Sequence, residues 1–291
     1  MTEYLTHTLT STDISAGSVN VSGVTPVPLG SYNFSSFLAR GSANSPSSAN
    51  VPVTISAPPV VYTVQGITFN SPNAAYMTTS SLTGIANGQK GILSTWLKLR
   101  GVGAYQIVFE TMDDQSITMY FQPSGYLFVQ LTNSAGTPIV SWTGHNVFST
   151  SGGLSHVAMS WDTTVSRAQA YTDGLVDVNA PTVVSGGIIN YAYGAVEMGG
   201  RTSASSMPFI GDIGDFYFNT AETMDLSVPA NLAKFIDSSG NPVNLGTNGA
   251  TPTGSVPLIF LSGPSSTFAN NLGSGGAFSL TGSISNGSTK P

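Results

Sequence analysis

The chain of 291 residues contains no cysteine, which excludes both a disulfide framework and a thiolate metal centre. Charge is scarce as well, since only 8% of residues are Asp, Glu, Lys or Arg, against about 25% in an ordinary soluble domain. The 8 basic and 14 acidic residues leave a net charge of −6, with no Lys/Arg cluster to follow a phosphate backbone or an anionic membrane surface. Nucleic acid is therefore not expected as a partner, and no apolar run is long enough for insertion into a membrane as a helix. The opening MTEYLTHTLTSTDISAG has neither a basic start nor an apolar stretch behind it, so no signal peptide is expected. Helix-period patterning is missing as far as Pro229.

What is present is the vocabulary of strands and turns. Ser and Thr recur throughout, and 33 Gly and 17 Pro supply frequent turn signals. Residues 1–65 read as an extended N-terminal arm with an anchoring role, SANSPSSANVPVTISAPPV being too Pro- and Ser-rich for regular structure. Residues 66–237 read as one β-sandwich domain, with strands expected at ILSTWLKLR, AYQIVFE, HVAMSWD, RAQAYTD and IGDFYFN. In SITMYFQPSGYLFVQLT, Ile117, Met119 and Phe121 share one face, Pro-Ser-Gly turns the chain, and Leu127, Val129 and Leu131 resume it. Helix is confined to a turn or two in VPANLAKFID. Residues 238–291 form a small C-terminal β extension, too short to bury a core alone and expected to dock on the sandwich or on a neighbouring chain.

From about Ile67 to Asp237 the chain resembles the laminin-G-like, concanavalin A-like lectin/glucanase group. The matching features are Trp96 in STWLKLR, the run His156, Val157, Ala158 leading to Trp161 and Asp162, the hairpin Tyr171, Asp173, Gly174, the MGGR strand end, and PFIGDIGDFYF. The resemblance implies an all-β fold, a two-sheet antiparallel jelly-roll sandwich. It also frames the candidate sites.

His156 stands out of phase with Val157, Met159 and Trp161 and has no triad-like spacing around it, so it reads as a histidine bonding backbone at the sheet margin. Glycanases with this fold carry two glutamates a few residues apart on one strand, and ETMDDQ supplies only Glu110. No catalytic residue is expected, and the protein reads as no enzyme. No cofactor is required. Calcium enters only through related domains that bind it at the sandwich rim, where Asp113, Asp114, Asp212 and Asp215 are the candidates. Carbohydrate needs aromatic platforms beside hydrogen-bonding groups, and Trp142 with His145, and Tyr191 with Tyr193, are the clusters of that kind.

A surface of exported-module composition without a leader fits a virion protein, made in a host cytoplasm and then displayed. The C-terminal region resembles the tails that follow lectin-like domains in tailed-phage structural proteins. The expectation is thus a non-enzymatic phage virion component, a head decoration or a tail-fibre part. Its expected partners are other virion proteins, copies of itself and cell-surface glycans. A free carbohydrate-binding lectin or adhesin is the alternative, and a glycanase the third reading.

Overall fold

The structure, a computed structural model, describes residues 14–15, 18–19, 62–69, 75–111, 116–192, 194–201 and 207–291. The chain divides into two compact units, Met1–Val60 and Val61–Pro291. In the first, Ile14–Ser15 (β1) pairs antiparallel with Ser18–Val19 (β2); the rest of the expected arm lies outside the described residues.

The second unit is an antiparallel two-sheet sandwich. Its strands are β3 (Val64–Phe69), β4 (Tyr76–Thr79), β5 (Lys90–Leu99), β6 (Gln106–Thr111), β7 (Ile117–Phe121), β8 (Tyr126–Thr132), β9 (Pro138–Val147) and β10 (Ser155–Asp162). They continue with β11 (Arg167–Thr172), β12 (Leu175–Val176), β13 (Thr182–Val183), β14 (Val196–Met198), β15 (Gly211–Asn219), β16 (Ile259–Leu261), β17 (Ser279–Thr281) and β18 (Ile284–Lys290). One sheet runs β12-β11-β10-β5-β15-β3-β18, with β16 also on β15, and the other runs β13-β9-β8-β7-β6-β14-β4-β17. The single described α-helix, α1, is Pro229–Leu232 within VPANLAKFID, with Pro at its start where the missing N–H costs nothing.

Period-two alternation builds the core. The β7–β8 hairpin pairs Ile117 with Leu131, Met119 with Val129 and Phe121 with Leu127, so all six apolar side chains enter the space between the sheets. Val157, Met159, Trp161 and Phe216 join them there. Trp161 spreads over Gly91, its partner on β5, where an added Cβ would collide with the indole. Trp96 is equally buried but on the opposite face, because it alternates with Leu93 and Leu97, which face the sandwich. That outer face is covered by a third layer. Met224, Leu226, Phe235 and Leu245 pack there against Ile92, Ala158, Tyr171 and Tyr217, burying both sides of this sheet.

Residues 238–291 are woven into the sandwich rather than appended to it. β16 pairs with β15, β17 with β4, and β18 with β3, so the C-terminus supplies strands to both sheets. The sandwich also begins a little before residue 66, at Val64 of β3.

Candidate functional site

The second sheet has a polar outer face of unusual regularity. Its register lines up Thr182, Ser141, Gln130, Thr118, Glu110, Glu197, Thr78 and Ser279, one residue from each of the eight strands, in a single row away from the core. The row is exposed at both ends and buried at its centre, where Glu110 and Glu197 are each 0% exposed. Directly opposed carboxylates repel, and a bidentate pair from Arg201, 2.6 and 3.0 Å to the two Glu110 oxygens, offsets that repulsion.

Beside the row lies an aromatic ladder. Tyr120 and Phe128 are cross-strand partners with ring centroids 4.8 Å apart, and Tyr105 meets Tyr120 edge-on at 5.5 Å. Tyr105 is 46% exposed, and Tyr120 and Phe128 are half-buried. Gln122 and Gln130 flank the rings, and among the described residues their side-chain amides make no hydrogen bond. Thr143, the partner of Phe128, is exposed on the same face, and His145 follows it two residues along β9. This half of the sheet presents half-open ring faces with neutral donors and acceptors at their edges.

The residues singled out from sequence are distributed differently. Trp142 is 2% exposed and faces the sandwich opposite Val129, because it alternates with Ser141 and Thr143. Tyr191 is 1% exposed; its hydroxyl accepts from Trp161 Nε1 at 2.6 Å and donates to the Lys90 carbonyl at 2.7 Å. Neither is an open platform, and Tyr193, Asp113 and Asp114 lie outside the described residues. His145 alone of these four aromatic candidates reaches solvent among the described residues, its backbone N–H held by Asp177.

Asp212 and Asp215 lie on β15, a strand inside the sheet rather than a rim loop. Asp212 accepts from Thr68 Oγ1 at 2.7 Å, from Arg100 at 2.6 and 2.8 Å, and from the Ser288 N–H at 2.9 Å. Four donors occupy its lone pairs, a poor fit to a calcium ligand. Burial alone would raise its pKa, but Arg100 and the other donors hold it below the ordinary aspartate value. Among the described residues no three His, Cys, Asp or Glu side chains gather as a metal site.

His156 is not at a margin. It sits on β10 between β5 and β11, fully buried, with Nε2 2.8 Å from Ser94 Oγ and its ring 5.0 Å from that of Trp96. Burial lowers its pKa to about 3, so the ring is neutral at ordinary pH. Its backbone is what bonds the hairpin turn, since its N–H reaches Asp173 Oδ1 at 2.7 Å and its carbonyl takes the Asp173 N–H at 2.9 Å.

The two-sheet antiparallel jelly-roll sandwich is the fold of a lectin-like class of protein. Residues 71–225 match the model of the concanavalin A-like lectin/glucanases superfamily, laminin G type, and the chain belongs to that superfamily. No curated protein matches the chain. Among solved structures, a carbohydrate-binding protein candidate from Bacteroides ovatus is similar at 15% identity and TM-score 0.51, over 85% of this chain and 64% of that one. A heptameric pentraxin from Limulus polyphemus is similar at 16% identity and TM-score 0.49, over 77% and 95% of the two chains.

Proposed function

We propose that the protein is a non-catalytic glycan-binding module whose platform is the open half of the β7–β9 face. The observation that carries this reading is the ladder of Tyr105, Tyr120 and Phe128 beside the amides of Gln122 and Gln130. A pyranose ring has apolar C–H faces and a rim of hydroxyls, so half-open aromatic faces with neutral amides at their edges meet both of its needs. The superfamily is compatible, and the similar Bacteroides ovatus structure is described as a carbohydrate-binding candidate. Catalysis is disfavoured because Glu110, the one glutamate that resembles a glycanase motif, is fully buried and neutralised by Arg201.

The test is a glycan-array screen followed by titration of the best neutral or charged oligosaccharide. Phe128→Ala and Gln130→Ala should each weaken binding by about tenfold while both variants still fold cooperatively. If no glycan binds, or binding ignores both changes, the platform is not a sugar site.

Display on a virus particle is the second part of the proposal, favoured by a chain with only 8% charged residues and abundant Ser, Thr and Gly. In that setting the partners are other virion proteins and copies of the chain itself. The protein would then co-purify with particles at fixed stoichiometry; recovery as a free protein from all fractions would remove the virion setting and leave the lectin.

A further inference from the structure

On the other sheet, β3 and β16 share one flank of β15. β3 pairs with Gly211–Ile213 and β16 with Phe216–Phe218, so Asp215 stands at the break between them, opposite an irregularity in the pairing with β5. Its backbone takes φ of 42°, a left-handed conformation that a non-glycine residue holds only when its surroundings enforce it. Two hydroxyls do so from the two strand ends. Tyr62, just before β3, donates to Asp215 Oδ2 at 2.8 Å, and Ser262, just after β16, donates to Oδ1 at 2.6 Å. Burial pushes the Asp215 carboxyl above its ordinary value, while these two bonds pull it back.

In front of this group opens a cleft of about 560 Å³, lined by Tyr62 and Ser262 together with Asn244, Thr247, Thr267 and Asn270. The apolar part of the lining is the exposed Leu272, whose N–H bonds the carbonyl of the buried Phe260 at 2.9 Å. Because Tyr62 and Ser262 spend their hydrogens on Asp215, their oxygens can only accept from a ligand in the cleft. Donors come from the amides of Asn244 and Asn270, and among the described residues the Asn270 side chain makes no hydrogen bond. None of the cleft-lining residues is charged. The volume lies inside the range of small-molecule sites, about 300–1,000 Å³.

We infer that this cleft is a second ligand site, separate from the β7–β9 platform, and that it takes a neutral saccharide of one or two rings. The acceptors of Tyr62 and Ser262, the amide donors and hydroxyls around them, and the apolar side chain of Leu272 match a polyol with C–H faces. The absence of charge among the lining residues sets such a ligand apart from a sialylated or phosphorylated one, which would have to shed its hydration without a cation to receive it.

The experiment uses the full chain and ligand-observed NMR with glucose, galactose, mannose, maltose and lactose, and with sialyllactose as the charged comparator. At least one neutral sugar should bind. Asn270→Ala and Thr247→Ala, both at exposed positions, should weaken it by about tenfold each, and Tyr62→Phe should weaken it similarly by freeing Ser262 and Asp215 from their arrangement. Phe128→Ala on the platform should leave this binding intact, which separates failure of the cleft from failure of the platform. The inference is overturned if no neutral sugar binds, if sialyllactose alone binds, or if the Asn270 and Thr247 variants bind as the parent does.

Discussion

At the scale of single residues, burial decides chemistry more than residue type does. His156 has the side chain of a general base and the environment of a packing group, with no carboxylate on its ring and Ser94 and Trp96 as its neighbours. The consequence is measurable. Its folded pKa of about 3 lies below the ordinary histidine value of 6.5, so the unfolded chain binds this proton more readily. The stabilisation is complete above pH 6.5 and is lost as pH falls toward 3, with a slope of up to about 1.4 kcal/mol per pH unit. Thermal melts of the parent between pH 7 and 4 should show this decline, and His156→Gln should flatten it; identical pH profiles would place the ring in contact with water. Trp161 makes the complementary case. It is fully buried, hydrogen-bonded to Tyr191 and spread over Gly91, so Trp161→Ala should cost on the order of 3–5 kcal/mol in denaturant unfolding. A variant as stable as the parent would mean that the cavity is filled by its neighbours.

At the scale of elements, alternation is legible in the sequence only where one face of a strand meets the core and the other meets solvent. The β7–β8 hairpin satisfies this condition, and its six core residues can be read off directly. β5 does not, because its outer face is buried too, Ile92 in the layer around α1 and Trp96 among Val64, Leu154 and Ile236. The polar row was illegible for a different reason. Glu110 and Glu197 meet only through the register of β6 and β14, and no local pattern announces a partner that far along the chain. In the two candidate clusters Trp142 and Tyr191 are both turned inward, Trp142 by its phase on β9 and Tyr191, which stands in a turn, by its bonds to Trp161 and the Lys90 carbonyl. β18 is the element on which the C-terminus depends. It closes the flank of β3 and brings the Ser288 N–H to Asp212. Deleting residues 284–291 should therefore lower stability by roughly 2–4 kcal/mol, at about 1 kcal/mol per lost hydrogen bond, and leave an open edge prone to pairing. Melting curves and light scattering of the truncated protein would check both effects, and an unchanged melting temperature would make the strand an ornament.

At the scale of the whole molecule, the distribution of cores predicts which part of the chain stands alone. The sandwich core, the layer around α1 and the cluster of Val64, Trp96, Leu154 and Ile236 are all drawn from residues after Val61, the start of the second compact unit. The C-terminal strands close both sheets from within that unit. A chain lacking residues 1–60 should then unfold cooperatively, with a melting temperature within a few degrees of the parent, and should bind the same glycan with unchanged affinity. The two halves of the functional proposal make different demands on this truncation. Glycan recognition needs only the second unit, because the platform and the cleft both lie in it. Assembly with particles or with other copies is the role proposed for the N-terminal arm, and a chain so poor in charge has little electrostatic means of keeping copies apart. Sedimentation of the truncated and full chains, alone and with particles, separates these demands. Loss of association with retained sugar binding is the expected result, whereas normal assembly without residues 1–60 would strip the arm of its anchoring role and leave a free lectin as the better description.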